Sequence, residues 1–121
     1  MLSANVSLSL SNFDWQQLHQ LAGGDVAFEA ELLSLFIEDV EQSLAQLEQA
    51  IVARNVAAIE DIAHGLRGAS ANVGATAIAR TAYRLEQAAR AGRIESDRTI
   101  IATLHSHCQA ITAYLQSKAS A

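Results

Sequence analysis

The chain of 121 residues contains no proline, so no position in it is barred from a helix interior by a missing N–H or a locked φ. A single cysteine, Cys108, excludes an internal disulfide and fits a reducing cytoplasm. Long apolar runs are also missing. Glu, Asp, Gln or Arg interrupts every one before the ~18 residues that a membrane span needs. Residues Met1 to Leu10 are apolar and Ser-rich but lack a basic start and a long hydrophobic stretch, so they do not read as a signal peptide. A flexible lead over residues 1–12 is expected instead. No Gly-x-x-x-x-Gly-Lys-Ser/Thr loop occurs, which removes that route to nucleotide binding. No dense Lys/Arg patch appears, which argues against nucleic acid as a partner.

What is present favours helix. Half of the residues are apolar, many of them Ala, with Leu, Glu and Gln plentiful. These are strong helix formers, and the length suits one domain with a real core. The net charge of −5 hides an asymmetry. Ten acidic residues and one Arg from Met1 to Asp61 give −9, whereas seven basic and three acidic residues from Ile62 onward give +4. The basic half permits docking to something acidic.

Taken in order, Asn12 or Asp14 caps a short helix through Ala22, with Trp15, Leu18 and Leu21 on one side. Gly23-Gly24 stops it and Asp25 caps a long second helix to about Val52. Phe28, Leu32, Leu35, Phe36, Val40, Leu44, Leu47 and Ile51 form the stripe expected to be buried on that helix. Arg54-Asn55 turns the chain into a third helix that ends near Asn72 to Gly74. A fourth, from about Thr76 to Ala91, buries Ile78, Ala82, Leu85 and Ala89, and Gly92 ends it. Ser96 or Asp97 then caps a fifth, on which Ile101, Leu104, Cys108, Ile111 and Leu115 recur at steps of three and four. Lys118 to Ala121 is expected to fray. Four long amphipathic helices with short connections predict an all-α fold, an antiparallel up-down-up-down four-helix bundle over residues 13–118, with the short first helix capping one end.

The third helix carries the stretch around which the rest is organised. Ile59, Ile62, Ala63, Leu66 and Val73 mark its buried stripe. His64 lies two positions from both Ile62 and Leu66, roughly 200° of rotation from each, and so points to water. Arg67 and Gly68 follow on the same face, with Ala71 a turn beyond. Gly65 and Gly68 each cost about 1 kcal/mol relative to Ala inside a helix. A lone exposed His is ordinarily a solvated surface residue. That reading leaves the two glycines unexplained, whereas a site that needs access explains them.

At these residues the chain resembles a known family. His64, Leu66, Arg67, Gly68 and Gly74 are similar to the His-x-Leu-Lys-Gly-x-x-x-x-x-Gly signature of histidine phosphotransfer (HPt) domains, the relay modules of bacterial multistep two-component signalling. Arg67 stands where the pattern has Lys, which keeps the charge and changes its geometry. The resemblance extends from about Leu21 to Leu115. It implies that His64 is a phosphoacceptor, a role suited to neutral imidazole with its pKa near 6.5. It further implies that Arg67 offsets the charge of the arriving phosphoryl group, and that Gly65, Gly68 and Ala71 leave a flat surface for a partner. In this family a polar residue of the next helix often accepts a hydrogen bond from one imidazole nitrogen. An ungapped count of 22 residues from His64 reaches Glu86, whose carboxylate would orient the ring. His64 and Glu86 stand about ten and twelve residues either side of the turn at Gly74, at similar heights of roughly 15 to 18 Å. The alternative for Glu86 is a solvated carboxylate paired with Arg90 at i+4.

Arg80, Arg84 and Arg90 read as solvated charges before they read as partner contacts. His105 and Cys108 can share a helix face, but His107 points elsewhere, so a buried structural thiol is expected and no metal site. His19 reads as incidental. By resemblance the chain accepts a phosphoryl group on His64 from a phospho-aspartyl receiver domain and passes it to another. It works as a cytoplasmic monomer without cofactor or catalysis of its own, and Mg²⁺ resides on the receiver. Two alternatives are the phosphoacceptor domain of a chemotaxis-type histidine kinase and a helical interaction module with an inert His64.

Overall fold

The computed structural model describes residues 13–93 and 97–120, and the side chains of Asp97, Arg98 and Lys118 to Ser120 are not described. The lead over 1–12 and the alternative caps Asn12 and Ser96 therefore lie outside the described residues, as does Asp97 as a side-chain cap. Among the described residues there are five helices and no strand: α1 (Trp15–Leu21), α2 (Val26–Val52), α3 (Val56–Val73), α4 (Thr76–Arg90) and α5 (Asp97–Ser120). α5 runs on to Ser120, into the stretch expected to fray.

Local chemistry sets the boundaries. The carboxylates of Asp14 and Asp25 accept from the backbone N–H of Gln17 and Phe28, each at 3.0 Å, and Asn55 Oδ1 accepts from Ala58 at 3.1 Å. Each such cap contributes about 0.5–2 kcal/mol by satisfying a donor the helix leaves open. Gly74 ends α3 with φ of 87°, a left-handed conformation that costs glycine nothing.

The long helices close a ring of contacts: α2 packs on α3 and α5, and α4 packs on the same two. The pairing of α3 with α4 is the most extensive, and α1 lies against α2 and α3. Ile59, Ala63, Leu66 and Val73 enter the core from α3, meeting Ile78, Ala82, Leu85 and Ala89 from α4, as their spacing predicts. Ile101, Leu104, Cys108 and Ile111 complete it from α5. No described helix is long and apolar enough to cross a membrane.

The first three turns of α2 depart from the expected stripe. Phe28 and Leu35 are 44% and 59% exposed, and Leu32 is only half-buried. Glu29, Leu33 and Ile37 face the core there, alongside Phe36 and Val40 of the expected stripe. The difference is one residue of register, about 100° of rotation. A carboxylate takes the first buried position because His19 of α1 covers it with a hydrogen bond to Glu29 Oε1. Leu21, at the end of α1, is likewise 44% exposed and does not join Leu18 in the core.

Candidate functional site

The α3–α4 seam brings the imidazole and the carboxylate together. The buried stripe of α3 turns His64 outward, where its side chain is 65% exposed, while Glu86 of α4 is 1% exposed. His64 Nδ1 lies 2.8 Å from Glu86 Oε2. Glu86 is not the solvated carboxylate of the alternative reading, although Arg90 does reach it: Arg90 Nη2 donates to Oε2 at 3.3 Å. Arg67 Nε donates to Oε1 at 2.7 Å. One buried carboxylate thus gathers three cationic or titratable side chains.

A buried carboxylate is tolerated only when it is paired and hydrogen-bonded. Glu86 meets that condition, and its pKa is lowered, chiefly by the Arg67 hydrogen bond and then by that of His64, against the opposing effect of burial. An ionised carboxylate can only accept, so the proton between it and His64 resides on Nδ1. The lone pair is then on Nε2. Arg67 Nη2 also approaches Nδ1, at 3.1 Å. Both groups carry protons in this tautomer, so Glu86 holds Nδ1 and the guanidinium adds positive charge beside the ring.

Two further residues shape this arrangement. The Arg67 guanidinium carbon lies 5.5 Å from the centroid of the Tyr83 ring, a cation–π contact that leaves Tyr83 at 48% exposure. Arg90 Nε donates to Glu60 Oε2 at 3.2 Å, so Arg90 bridges the seam a turn from the imidazole. By sequence Arg90 reads as a solvated charge or as the i+4 partner of Glu86, and Tyr83 is not singled out. The signal was present, since both sit one turn from Glu86, at i+4 and i−3.

Gly65, Gly68 and Ala71 are exposed around His64. A Cβ built on Gly65 or Gly68 would meet nothing within 4 Å, so no neighbour inside the molecule requires either glycine. Beside them an open cleft of about 230 Å³ runs between α2 and α3, bordered by Phe36, Val40, Gln46, Gly65 and Ala69.

The remaining candidates stand apart. Cys108 is buried, and burial, followed by the nearby Glu41 charge, pushes its thiol up to about 11. His105 Nε2 pairs with Glu48 Oε1 at 3.1 Å. No group of three His, Cys, Asp or Glu side chains able to hold a metal ion occurs among the described residues. His19 is not incidental in its contacts: it pairs with the buried Glu29.

The family model of the Hpt domain matches residues 31–114 of the chain. No curated protein matches it. Among solved structures, it is similar to the crystal structure of histidine-containing phosphotransfer protein B (HptB) from Pseudomonas aeruginosa PAO1. The two are 25% identical, the match covers 88% of this chain and 93% of that one, and the TM-score is 0.80.

Proposed function

The chain belongs to the Hpt domain family, and from that premise we propose that it is a phosphorelay intermediate with His64 as phosphoacceptor. Its donor is the phospho-aspartyl group of a receiver domain, and its acceptor is the aspartate of another. The observation that carries this reading is the ionised Glu86 at 2.8 Å from Nδ1 of an otherwise exposed ring.

In the forward step the Nε2 lone pair attacks phosphorus as the bond to the aspartyl oxygen breaks. The aspartate leaves as a carboxylate, and the new N–P bond makes the ring cationic, because Nδ1 keeps its proton. Glu86 offsets that charge and fixes the ring, while the Arg67 guanidinium stabilises the phosphoryl group from the next turn. The second transfer runs the same step backwards with a different aspartate. Gly65, Gly68 and Ala71 let the partner's backbone approach, and the receiver brings the Mg²⁺. The domain itself needs no cofactor and acts as a carrier, not an enzyme.

We also read the domain as residues 13–118, with the long helices antiparallel in an up-down-up-down bundle. The short connections and the closed ring of contacts support that topology. A cytoplasmic monomer that engages receivers, and neither nucleic acid nor membrane, completes the reading. The test is incubation of the chain with phosphorylated receivers from the same organism. An acid-labile, base-stable label that His64→Gln abolishes is expected. No label would leave an inert helical module, and labelling only by an ATP-bound kinase domain would point to a chemotaxis-type phosphoacceptor.

A further inference from the structure

Three side-chain contacts cross the α3–α4 seam in step. His64 Nδ1 lies 2.8 Å from Glu86 Oε2. Four residues earlier on α3 stands Glu60, and four residues later on α4 stands Arg90, whose Nε donates to Glu60 Oε2 at 3.2 Å. Arg67 over Tyr83 makes the third contact, three residues on along α3 and three back along α4. Residues four apart share a helix face, so one Arg90 side chain reaches both Glu60 and Glu86.

The Arg90 guanidinium is held at both ends. Its Nε is taken by Glu60, and its Nη2 donates to Glu86 Oε2 at 3.3 Å. That oxygen is the one that faces the imidazole. The side chains of Arg90 and Glu60 are 56% and 34% exposed, and such a pair by itself contributes little. Here it fixes one end of a planar fork whose other end meets a carboxylate only 1% exposed.

We propose that Arg90 is a positioning residue for phosphoryl transfer: anchored by Glu60, it keeps Glu86 Oε2 on Nδ1 of His64 and so keeps the lone pair on Nε2. The ionisation of Glu86 does not call for Arg90, because Arg67 and His64 hold that pKa down. The aim of the carboxylate is a separate matter. The terminal torsion of a glutamate is broad, and Arg67 Nε holds only Oε1, at 2.7 Å. With that single anchor the carboxylate can turn and carry Oε2 off the ring. Arg90 acts through Glu86, on the Nδ1 side, whereas the phosphoryl group bonds to Nε2. The effect on transfer rests on the reading of His64 as phosphoacceptor. The effect on the ring does not.

The experiment compares the full chain with Arg90→Met, which keeps side-chain length and removes the charge and the donors. Nitrogen-15 NMR at about pH 8.5, above the ordinary imidazole range, reads the ratio of the two neutral tautomers of His64. The Nε2–H form should rise at least about twofold in Arg90→Met, and by less in Glu60→Ala. Transfer from a phosphorylated receiver should slow about three- to tenfold in Arg90→Met, less than on removing Glu86 itself. Its melting temperature should stay close to the parent's, because the side chain is largely exposed. In a Glu86→Gln background Arg90→Met should slow transfer no further, since the two residues act in one line. A tautomer ratio unmoved by Arg90→Met would overturn the assignment. So would an equal loss of rate with and without Glu86, which is what direct contact with the phosphoryl group predicts. A parent chain that no receiver labels would remove the phosphoacceptor reading, and the tautomer ratio would still decide whether Arg90 aims Glu86.

Discussion

The molecule makes the same pair twice. His64 with Glu86 and His19 with Glu29 each set a largely exposed imidazole against a buried carboxylate on a neighbouring helix, at 65% against 1% and 58% against 8% exposure. In both, Nδ1 faces the carboxylate. The surroundings differ. Glu86 also receives Arg67 and Arg90, and His64 stands among exposed Gly65, Gly68 and Ala71 on an 18-residue helix. Among the described residues Glu29 answers to His19 alone, and His19 lies on a seven-residue helix with the Trp15 ring 6.5 Å away. An oriented imidazole is therefore not enough to mark an acceptor. Added cations and a cleared surface distinguish the His64 ring from the one that fastens α1 to α2.

The widest gap between the pairs should appear on replacing the histidines. His64→Gln should abolish phosphoryl labelling from a phosphorylated receiver, while His19→Gln keeps it within about twofold, read by autoradiography. His64→Gln should leave the melting temperature nearly unchanged, because an exposed side chain packs little. Labelling of the His64 variant at the parental level would dissolve the distinction and move the acceptor elsewhere.

Replacing the carboxylates comes next. Glu86→Gln should slow transfer by about 10–100-fold, the range seen when a carboxylate orienting a functional histidine is removed. Glu29→Gln should instead leave transfer intact and cost about 1–3 kcal/mol, since it disturbs a buried hydrogen bond. The pH signs follow for Glu86. Its folded pKa lies below the ordinary 4.5, so its stabilising contribution is full above that value and is lost as pH falls through the folded pKa. Thermal melts of Glu86→Gln should accordingly show a shallower acid limb below about pH 4.5 than the parent. An unchanged limb would mean that the arginines do not stabilise the ionised form.

Arg67 tests whether the added cation matters. Arg67→Ala should reduce the transfer rate about tenfold without abolishing it, and Arg67→Lys should restore most of it through the retained charge. Full activity in the Ala variant would leave the two pairs distinguished by access alone.

Access gives the smallest effect. Nothing lies within 4 Å of a Cβ at Gly68, so Gly68→Ala should raise stability by up to roughly 1 kcal/mol in denaturant melts. Gly68→Gln should slow transfer several-fold by obstructing the docked partner. Parental transfer by the Gln variant would remove access from the comparison.

The geometry around His64 was legible in the sequence because much of it rests on local spacing. His64 and Arg67 lie on one helix, and Glu86 is reached from the family resemblance by an ungapped count of 22 residues, which leaves His64 and Glu86 about ten and twelve residues either side of a short turn. The geometry around His19 was not. The Glu29–His19 pair depends on how α1 folds back onto α2, and a reading that keeps carboxylates out of the core passes over Glu29. Phe28, Leu32 and Leu35 then offer a regular stripe one residue out of register, and only the pairing with His19 makes the true register affordable. Arg90 was visible as an i+4 neighbour of Glu86, but its link to Glu60 across the seam is not a matter of sequence distance.

The end of α3, the helix that carries His64, is closed by a part of the chain far from it in sequence. Gln17 Nε2 donates to the carbonyls of Ala71 and Asn72 at 2.6 and 3.0 Å, and the Asp14 N–H donates to that of Gly74 at 2.7 Å. A Cβ at Gly74 would stand 2.5 Å from Asp14 O, so the two backbones meet only because that residue is glycine. The family match begins at residue 31, after both Asp14 and Gln17. A fragment cut at that boundary keeps His64, Arg67 and Glu86 yet takes one donor from each of three carbonyls, and the last turn of α3 would exchange its amide hydrogens faster than in the full chain. The last turn of the helix that carries His64 is thus closed by α1 and the residue before it, which lie outside the matched range.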